Sequence, residues 1–395
     1  MMKNFRYIKK EIDKSKIISR DDYINSILEF INDEKAILIK GNPFTGKTFL
    51  LYQTAEKIYK SGFDEENILY VDLKSLNANH LLTMNNFVNY LKQNLDSNIK
   101  GKIFLLIDNI GTLNFDANNF IKHFDTNKIK FIFTSDVIPL SIENCHYIEL
   151  YPFTIKDVSK DKMKFNLLIE RGGLPIYFFD CIKINSFELV DIIKNRIIIN
   201  LIRKYQIKDV FLLNVIIEII SQNIGNYTTI KRIKDILLEN GYNVNFETVQ
   251  DYVDFLIAEN YVYKIEKINF RNLQKVQNYI KLYPYDYLFS IRYGLSLEAL
   301  LEHLAVVYFK SQNYELFYGG YKDSTIPLIA KKGNELEYYQ FIDSLDNHQA
   351  LSEKINNFKK IKDFYPKNFI TMNTSKIDNI MGIKNILPYN IKIFE

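Results

Sequence analysis

The sequence predicts an α/β protein in which a parallel β-sheet domain comes first, an all-α segment follows, and an α+β domain ends the chain. Three observations predict this order. Apolar runs alternate with helical patterns over about residues 16–155, three helical patterns and a hairpin occupy residues 209–270, and helices and short strands alternate from about Lys281 onward. A chain of 395 residues exceeds the usual size of one compact core, so two to three domains are expected.

The apolar runs of the first domain are typical of buried parallel strands. Parallel strands are covered on both faces and are therefore apolar throughout, and alternation with helices predicts a doubly wound sheet. The runs are Ala36–Lys40, Ile68–Leu73, Ile103–Ile107, Lys130–Thr134 and Tyr147–Leu150. Ligands of such sheets bind beyond the carboxyl ends of the strands, which is where we expect a site.

The first run is followed by an octet that fits the phosphate-binding pattern G-x-x-x-x-G-K-[ST] without a mismatch. The octet is Gly41, Asn42, Pro43, Phe44, Thr45, Gly46, Lys47 and Thr48. The two glycines let backbone N–H groups turn toward an anion, Lys47 can reach the β- and γ-phosphates, and the Thr48 hydroxyl can ligate Mg²⁺. A helix over Phe49–Lys60 would direct its positive end at the phosphates. The octet predicts a P-loop NTPase sheet; the alternative is an ordinary strand–turn–helix.

The third and fourth runs end in polar residues that fit the same site. Asp108 follows an apolar strand in the Walker B form and would hold hydrated Mg²⁺ near Thr48. Thr134, at the end of the fourth run, is a candidate for sensing the γ-phosphate; an ordinary strand exit is the equal alternative. The residue after Asp108 is Asn109, whose amide can orient water but cannot accept its proton. The catalytic candidates are Lys47, Asp108 and Asn109, and ATP binding is better supported than rapid hydrolysis.

Composition excludes several other classes of protein. No stretch reaches the roughly 18 uncharged apolar residues that a membrane span needs, and the N-terminus lacks a signal-peptide core, so a cytoplasmic protein with no membrane partner is expected. Cys145 and Cys181 lack metal-type spacing, as do the five scattered histidines. The net charge of +4 permits contact with DNA but does not argue for it.

Several segments, taken in order, resemble one family of proteins. They are the octet, LLIDN, FIFTSD, Tyr147–Phe153 and Arg171–Pro175. Together they look like the prokaryotic AAA-type P-loop ATPases of archaea and bacteria, which carry a winged-helix segment and a C-terminal domain similar to restriction endonucleases. The resemblance implies ATP as the nucleotide. It also implies an AAA-type domain over residues 1–155, a helical lid over 156–205, a winged-helix-like domain over 206–275 and a nuclease-like domain over 276–395.

Two departures from the family pattern concern hydrolysis. Asn109 stands where such ATPases place an acid, and Asn144-Cys145 stands where the family has Gly-Arg, which removes the expected arginine finger. Arg171 could substitute from the helical lid, although a surface arginine at a helix end is the more ordinary interpretation. We therefore expect a weak ATPase.

The winged-helix-like segment is a poor match for DNA reading. Its third helix, Phe246–Glu259, would enter the major groove, yet it carries four acids and no lysine or arginine. DNA contact would depend on cations elsewhere, namely Lys231, Arg232, Lys234, Lys264 and Lys267. Packing or protein docking is the favoured role, with Asn245 as the helix N-cap and Tyr261–Phe270 as the wing.

The C-terminal domain lacks the residues that the resemblance requires for nuclease chemistry. Such sites need an acid on one strand and acid-x-Lys on the next to hold Mg²⁺. Pro327 stands at the first position, and Gln340-x-Ile342 replaces the second; Glu302 alone cannot build a site. Pro327 also predicts an edge strand or a bulge at Thr325–Ile329. The remaining elements expected here are helices Ser296–Lys310 and Asn347–Lys362 and strands Tyr339–Ile342 and Asn368–Met372.

Three classes of function stay open from the sequence. The first is an ATP-binding protein with weak Mg²⁺-dependent ATPase activity that acts as a nucleotide-controlled switch and has a silent nuclease-like domain. The second is a nucleotide-regulated DNA-binding protein, and the third is a non-hydrolysing interaction scaffold. A protein partner or a homo-oligomer is compatible with each.

Overall fold

A computed structural model describes most of the chain and divides it into two compact units. The described residues are 2–14, 18–32, 36–75, 80, 82–95, 99–112, 116–136, 142–158, 161–178, 185–270, 274–321, 324–372 and 379–388. The units are Met1–Leu150 and Tyr151–Glu395. The first unit thus ends at Leu150, slightly before the predicted boundary at residue 155.

The first unit is a doubly wound α/β domain, as predicted. Its described strands form a six-stranded sheet in the order β1-β3-β4-β5-β2-β6, parallel except for β1. The strands are β1 (Lys3–Asn4), β2 (Ala36–Lys40), β3 (Ile68–Asp72), β4 (Ile103–Asp108), β5 (Ile129–Ser135) and β6 (Cys145–Glu149). The helices are α1 (Phe5–Lys14), α2 (Asp21–Glu29), α3 (Lys47–Lys60), α4 (Met84–Asn94) and α5 (Ala117–Ile121). Two 3₁₀ turns lie at Glu65–Asn67 and Ile110–Thr112.

Apolar clusters cover both faces of this sheet, which explains why its strands are apolar throughout. Phe87 of α4 and Phe120 of α5 pack on one face, and Leu51 of α3 and Ile27 of α2 pack on the other. The strand register brings Lys40 opposite Ser135 and Asp72 opposite Asp108. The carboxyl ends of four neighbouring strands therefore meet at one edge.

The second unit combines helices with a large mixed sheet. Its helices are α6 (Ile155–Val158), α7 (Lys162–Arg171), α8 (Pro175–Phe178), α9 (Ser186–Tyr205), α10 (Val210–Gln222), α11 (Ile230–Glu239), α12 (Phe246–Ala258), α13 (Leu297–Ser311) and α14 (His348–Lys359), with a 3₁₀ segment at Tyr287–Tyr293. Its strands are β7 (Tyr227–Thr228), β8 (Val262–Asn269), β9 (Lys275–Pro284), β10 (Glu315–Tyr321), β11 (Ser324–Lys332), β12 (Glu335–Ile342), β13 (Lys367–Thr371), β14 (Asn379–Ile380) and β15 (Ile383–Ile386). They form one sheet in the order β14-β15-β13-β12-β11-β10-β8-β9-β7.

The expected order of helix, helix, helix and hairpin is present as α10, α11, α12 and the antiparallel pair β8–β9. This hairpin does not end a separate module, because β8 pairs in parallel with β10 and so joins the C-terminal strands. The predicted division at residues 275 and 276 falls at the start of β9. The three-part division of residues 156–395 remains a prediction.

Pro327 lies in an interior strand, so the expectation of an edge strand is wrong and that of a bulge is confirmed. β11 pairs with β10 on one side and β12 on the other, and its register with β10 shifts between Phe317 and Gly319, opposite Pro327. Proline cannot donate a ladder hydrogen bond, and the shift accommodates it. Other predicted elements differ only at their ends: Phe49–Lys60 begins at Lys47, and Asn347–Lys362 becomes His348–Lys359 with Asn347 as its N-cap.

Candidate nucleotide-binding site

The octet forms the turn between β2 and α3, and its backbone is held in a wide loop. Gly41 donates its N–H to the Ser135 carbonyl at 3.2 Å, and the Thr45 hydroxyl donates to the Asn42 carbonyl at 2.9 Å. Gly46 is the N-cap of α3 with φ of 93°, a conformation that glycine adopts at little cost. A Cβ at Gly41 would lie 2.5 Å from the Leu150 carbonyl oxygen, so only glycine fits there. The first turn of α3 thus follows the loop directly, with Gly46 as the last residue before the helix.

Lys47 is buried within the loop and is neutralised by an acid that the sequence did not assign to it. Its Nζ donates to the carbonyls of Gly41 and Asn42 at 2.9 and 2.8 Å and lies 2.8 Å from Asp136 Oδ1. Lys74 pairs with the other oxygen of Asp136 at 2.7 Å. Burial raises the pKa of Asp136, but the two lysine charges outweigh it and hold that pKa well below its usual value. Asp136 is therefore a stable anion beside Lys47.

Asp108 lies at the end of β4 beneath the loop and accepts hydrogen bonds from three hydroxyl groups. Thr48 Oγ1 donates to Oδ2 at 2.6 Å, Tyr70 OH donates to the same oxygen at 3.1 Å, and Thr134 Oγ1 donates to Oδ1. Burial raises the pKa of Asp108, and the hydrogen bonds from Thr134 and Thr48 oppose that rise. The structure thus brings Thr48, Asp108 and Thr134 together.

The pair formed by Thr48 and Asp108 fits Mg²⁺. Both are oxygen ligands, and Mg²⁺ usually takes one or two protein ligands and completes its shell with water and substrate phosphates. Within the described residues no group of three His, Cys, Asp or Glu side chains could hold a metal ion, so a metal here would depend on a bound phosphate. A metal at this place would neutralise charge on the phosphates.

Asn109 is held at the same edge by a set of polar contacts. Its N–H donates to Thr134 Oγ1 at 2.9 Å, and its side-chain Nδ2 donates to Asp72 Oδ1 at 3.1 Å. Its φ is 65°, in the left-handed region that asparagine tolerates better than most residues. The roles assigned to these octet and strand-end residues stay predictions.

Sequence reasoning did not single out four residues of this cluster: Tyr70, Asp72, Lys74 and Asp136. For the last three the available signal was their position, because each lies at or just beyond the carboxyl end of β3 or β5, whereas Tyr70 lies in the middle of β3. Their pairing depends on which strands are neighbours, and the order of runs along the chain does not reveal that.

The candidates outside the first unit have ordinary surroundings. Arg171 is the last residue of α7 before Gly172. Arg232 pairs with Glu239 at 3.0 Å, and Lys264 lies 3.5 Å from Glu266, so two of the cations proposed for DNA are neutralised by acids. Of the two cysteines, Cys145 starts β6 in the first unit and its Sγ donates to the His146 carbonyl at 3.6 Å, while Cys181 lies outside the described residues. None of the helices in the described part of the chain is long and apolar enough to cross a bilayer.

The fold and the loop at its strand ends have the features of a P-loop nucleotide-binding domain. Residues 33–159 match the family model described as AAA domain. An uncharacterized protein of Haemophilus influenzae is 21% identical over 94% of this chain and 97% of its own length. The uncharacterized protein MJ1544 of Methanocaldococcus jannaschii is 23% identical over 97% of this chain and 87% of its own length. The structure of the Walker-type ATPase PABY2304 of Pyrococcus abyssi has 13% identity and a TM-score of 0.45, over 70% of this chain and 95% of that one.

Proposed function

We propose that this protein binds ATP with Mg²⁺ in its AAA-type domain and hydrolyses it slowly, so that nucleotide occupancy acts as a switch. Lys47 and the backbone of residues 41–48 bind the phosphates, and Thr48 and Asp108 hold the metal. Asn109 orients the attacking water, and Thr134 responds to the γ-phosphate through its contact with Asp108.

The observation that carries this proposal is the 2.6 Å contact between Thr48 Oγ1 and Asp108 Oδ2. One oxygen ligand comes from the first turn of α3, directly after Lys47, and the other from the end of β4, which is the arrangement that a metal–triphosphate pair requires. Glycine at position 41 lets the start of the loop pack against the Leu150 carbonyl oxygen, which fixes the place of the loop at the strand ends.

A switch follows from the partners of Lys47. In the structure its ammonium group contacts Asp136 and two carbonyl oxygens of the loop. A bound β- or γ-phosphate would compete for the same three donors, so the free and bound states differ in what Lys47 contacts. Once phosphate has bound Lys47, the negative charge of Asp136 is still paired with Lys74.

For the second unit we propose a role in docking a protein partner, with its nuclease-like part silent and the winged-helix-like part a packing element. Neutralisation of Arg232 and Lys264 by acids weakens the case for DNA, since affinity for DNA depends on free cations. Pro327 and Gln340 stand where the resemblance requires acids, which supports the proposal that this part of the chain has no nuclease activity.

A thermal-shift panel of nucleotides with Mg²⁺, on wild type and Lys47→Ala, tests ATP binding. At about 100 times Kd a ligand adds about 2.7 kcal/mol, which should raise the Tm of the wild type by several degrees. Lys47→Ala should show no shift. Lys57→Ala is the matched control, since this exposed lysine of the same helix faces away from the loop.

Calorimetry must accompany the panel, because Lys47→Ala removes a lysine that is paired with the buried Asp136 and lowers stability by itself. Unchanged MgATP affinity in Lys47→Ala would refute the site. Loss of affinity in Lys57→Ala as well would indicate a general defect.

A further inference from the structure

Asp72 and Asn109 form a hydrogen-bonded pair at the carboxyl ends of the neighbouring strands β3 and β4. Asn109 Nδ2 donates to Asp72 Oδ1 at 3.1 Å, and the backbone N–H of Lys74 donates to the same oxygen at 2.9 Å. Both side chains are half-buried, so water can reach them. The other carboxylate oxygen, Oδ2, accepts no hydrogen bond from any residue that the structure describes.

We propose that Asp72 is the proton acceptor for the water that attacks the γ-phosphate, and that Asn109 orients both. The acid that the Asn109 position lacks is thus supplied from the adjacent strand, by a residue that Asn109 contacts directly. This inference rests on the proposed ATP hydrolysis and names the general base within that site.

The other carboxylates of the cluster are unsuited to this task. Asp108 is almost fully buried and accepts hydrogen bonds from three hydroxyls, and its place is beside the metal. Asp136 still holds Lys74 at 2.7 Å once phosphate has taken Lys47, and a carboxylate paired with a lysine is a weaker proton acceptor. In the described part of the chain Asp72 makes no ion pair within 4.0 Å, and it keeps one oxygen available.

Asn109 is fixed firmly enough to position its partner. Its N–H donates to Thr134 Oγ1, and its carbonyl accepts from the N–H and the hydroxyl of Thr112 at 3.0 and 2.9 Å. Thr134 also donates to Asp108, the proposed metal ligand. Hydrogen bonds therefore connect Asp108 to Asp72 through Thr134 and Asn109. Placement of this kind is what general-base catalysis requires, within direct reach or through one water.

The water oxygen forms a bond to the γ-phosphorus while the bond from that phosphorus to the bridging β–γ oxygen breaks, and ADP leaves with the electron pair. One proton of the water passes to Asp72 and from there to solvent or to the released phosphate. No oxidant or further reactant is needed.

Two variants separate a base from a structural residue. Asp72→Asn keeps an Oδ1 acceptor for Asn109 and Lys74 but cannot take the proton, so kcat should fall about 100-fold or more while the KM for ATP changes little. The exchange variant Asp72→Asn with Asn109→Asp keeps one acid, one amide and the hydrogen bond between them. It should recover at least about tenfold of the loss in kcat.

Asp125→Asn is the matched control, because this exposed aspartate of the same unit makes a similar bond to the N–H two residues on, at 3.0 Å, far from the loop in sequence. It should keep wild-type kcat. MgATP affinity, measured by calorimetry on every variant, should stay near the wild-type value.

The outcomes distinguish this inference from the proposed function. Full kcat in Asp72→Asn, or an exchange variant no faster than the single variant, would overturn the assignment of Asp72 while leaving ATP binding intact. Wild-type binding without any turnover would overturn it too. Absence of MgATP binding in the wild type would instead refute the proposed function itself.

Discussion

At the scale of single residues, Asn109 combines a backbone constraint with a chemical one. Its φ of 65° lies in the left-handed region, where asparagine is common and longer or branched side chains are rare. Its amide can orient water but cannot remove the proton. The position thus suits both a tight strand exit and a side chain that can orient water.

Asn109→Glu should raise ATP turnover, because it places a second proton acceptor directly after Asp108, and this gain outweighs the loss of the hydrogen bond from Asn109 to Asp72. The gain comes with a loss of stability of about 1 kcal/mol, since glutamate is strained at this φ. Steady-state phosphate release and a thermal melt measure the two effects. Brisk turnover by the wild type, together with no change in Asn109→Ala, would show that the residue after Asp108 does not limit the rate.

The site was predictable in part from the sequence. The octet has fixed internal spacing and directly follows an apolar strand, so the residue pattern alone assigns Lys47 and Thr48 to the phosphate-binding motif. Asp108 could be found in the same way, because it directly follows another apolar strand. The residue pattern does not assign Asp136 as a partner of Lys47, or Asp72 as a partner of Asn109. Both contacts join residues far apart in sequence and depend on β5 lying between β2 and β4, and β3 beside β4.

At the scale of elements, two of the segments that carry the family resemblance contact each other in the second unit, through Phe153 and Gly173. Phe153 donates its N–H to the Gly173 carbonyl at 2.7 Å, and a Cβ at Gly173 would lie 2.2 Å from the Phe153 carbonyl oxygen. The segment after β6 and the turn after α7 therefore pack backbone to backbone. The sequence relates these two segments only by their order and spacing. The contact gives a physical reason for glycine at position 173.

Glu302 of α13 and Lys281 of β9 form a buried ion pair next to Pro327. Their charged atoms are 2.6 Å apart, and Tyr283 OH and the Pro327 carbonyl complete the contacts. Breaking such a pair from one side costs about 3–5 kcal/mol, while replacing both charges with apolar residues is often neutral.

We therefore expect Glu302→Leu to be strongly destabilised and Lys281→Met with Glu302→Leu to regain most of the loss. Urea unfolding followed by far-UV circular dichroism measures both. If the single variant is as stable as wild type, the ion pair is not a structural unit; if the double variant is less stable than the single one, the burial argument fails.

At the scale of the whole chain, the sheet of the first unit could be predicted from the alternation of apolar runs and helical patterns, whereas the strand order of the second unit could not. Five strands of the first sheet appear as apolar runs because helices cover both faces, whereas β1, only two residues long, gives no pattern. In the second unit the joining of β8 to β10 is a parallel pairing across some 50 residues, and nothing local in either strand encodes it. The predicted domain boundary at 275 fell within that shared sheet for this reason.

Two buried groups of the second unit have opposite effects on stability as pH changes. Burial raises the pKa of Asp286 to about 7, although the N–H groups of Leu288 and Gly173 bond to its carboxylate. Burial lowers the pKa of His303 to about 4, although its ring bonds to the Pro284 carbonyl. Between about pH 4 and 6.5 the folded chain holds a proton on Asp286 that the unfolded chain has lost, and lacks one on His303 that the unfolded chain holds.

Because these two effects oppose each other, their contributions nearly cancel in the wild type. Asp286→Asn leaves only His303, so its free energy of unfolding should rise by up to about 1.4 kcal/mol per pH unit, relative to wild type, between about pH 4 and 6.5. His303→Gln leaves only Asp286, so the same quantity should fall with pH over about 4–7. Slopes rather than absolute stabilities are compared, because each substitution also disturbs a buried hydrogen bond to the same extent at every pH. Urea unfolding across pH 4–7 gives these slopes, and two variants with wild-type slopes would mean that neither group changes its proton affinity on folding.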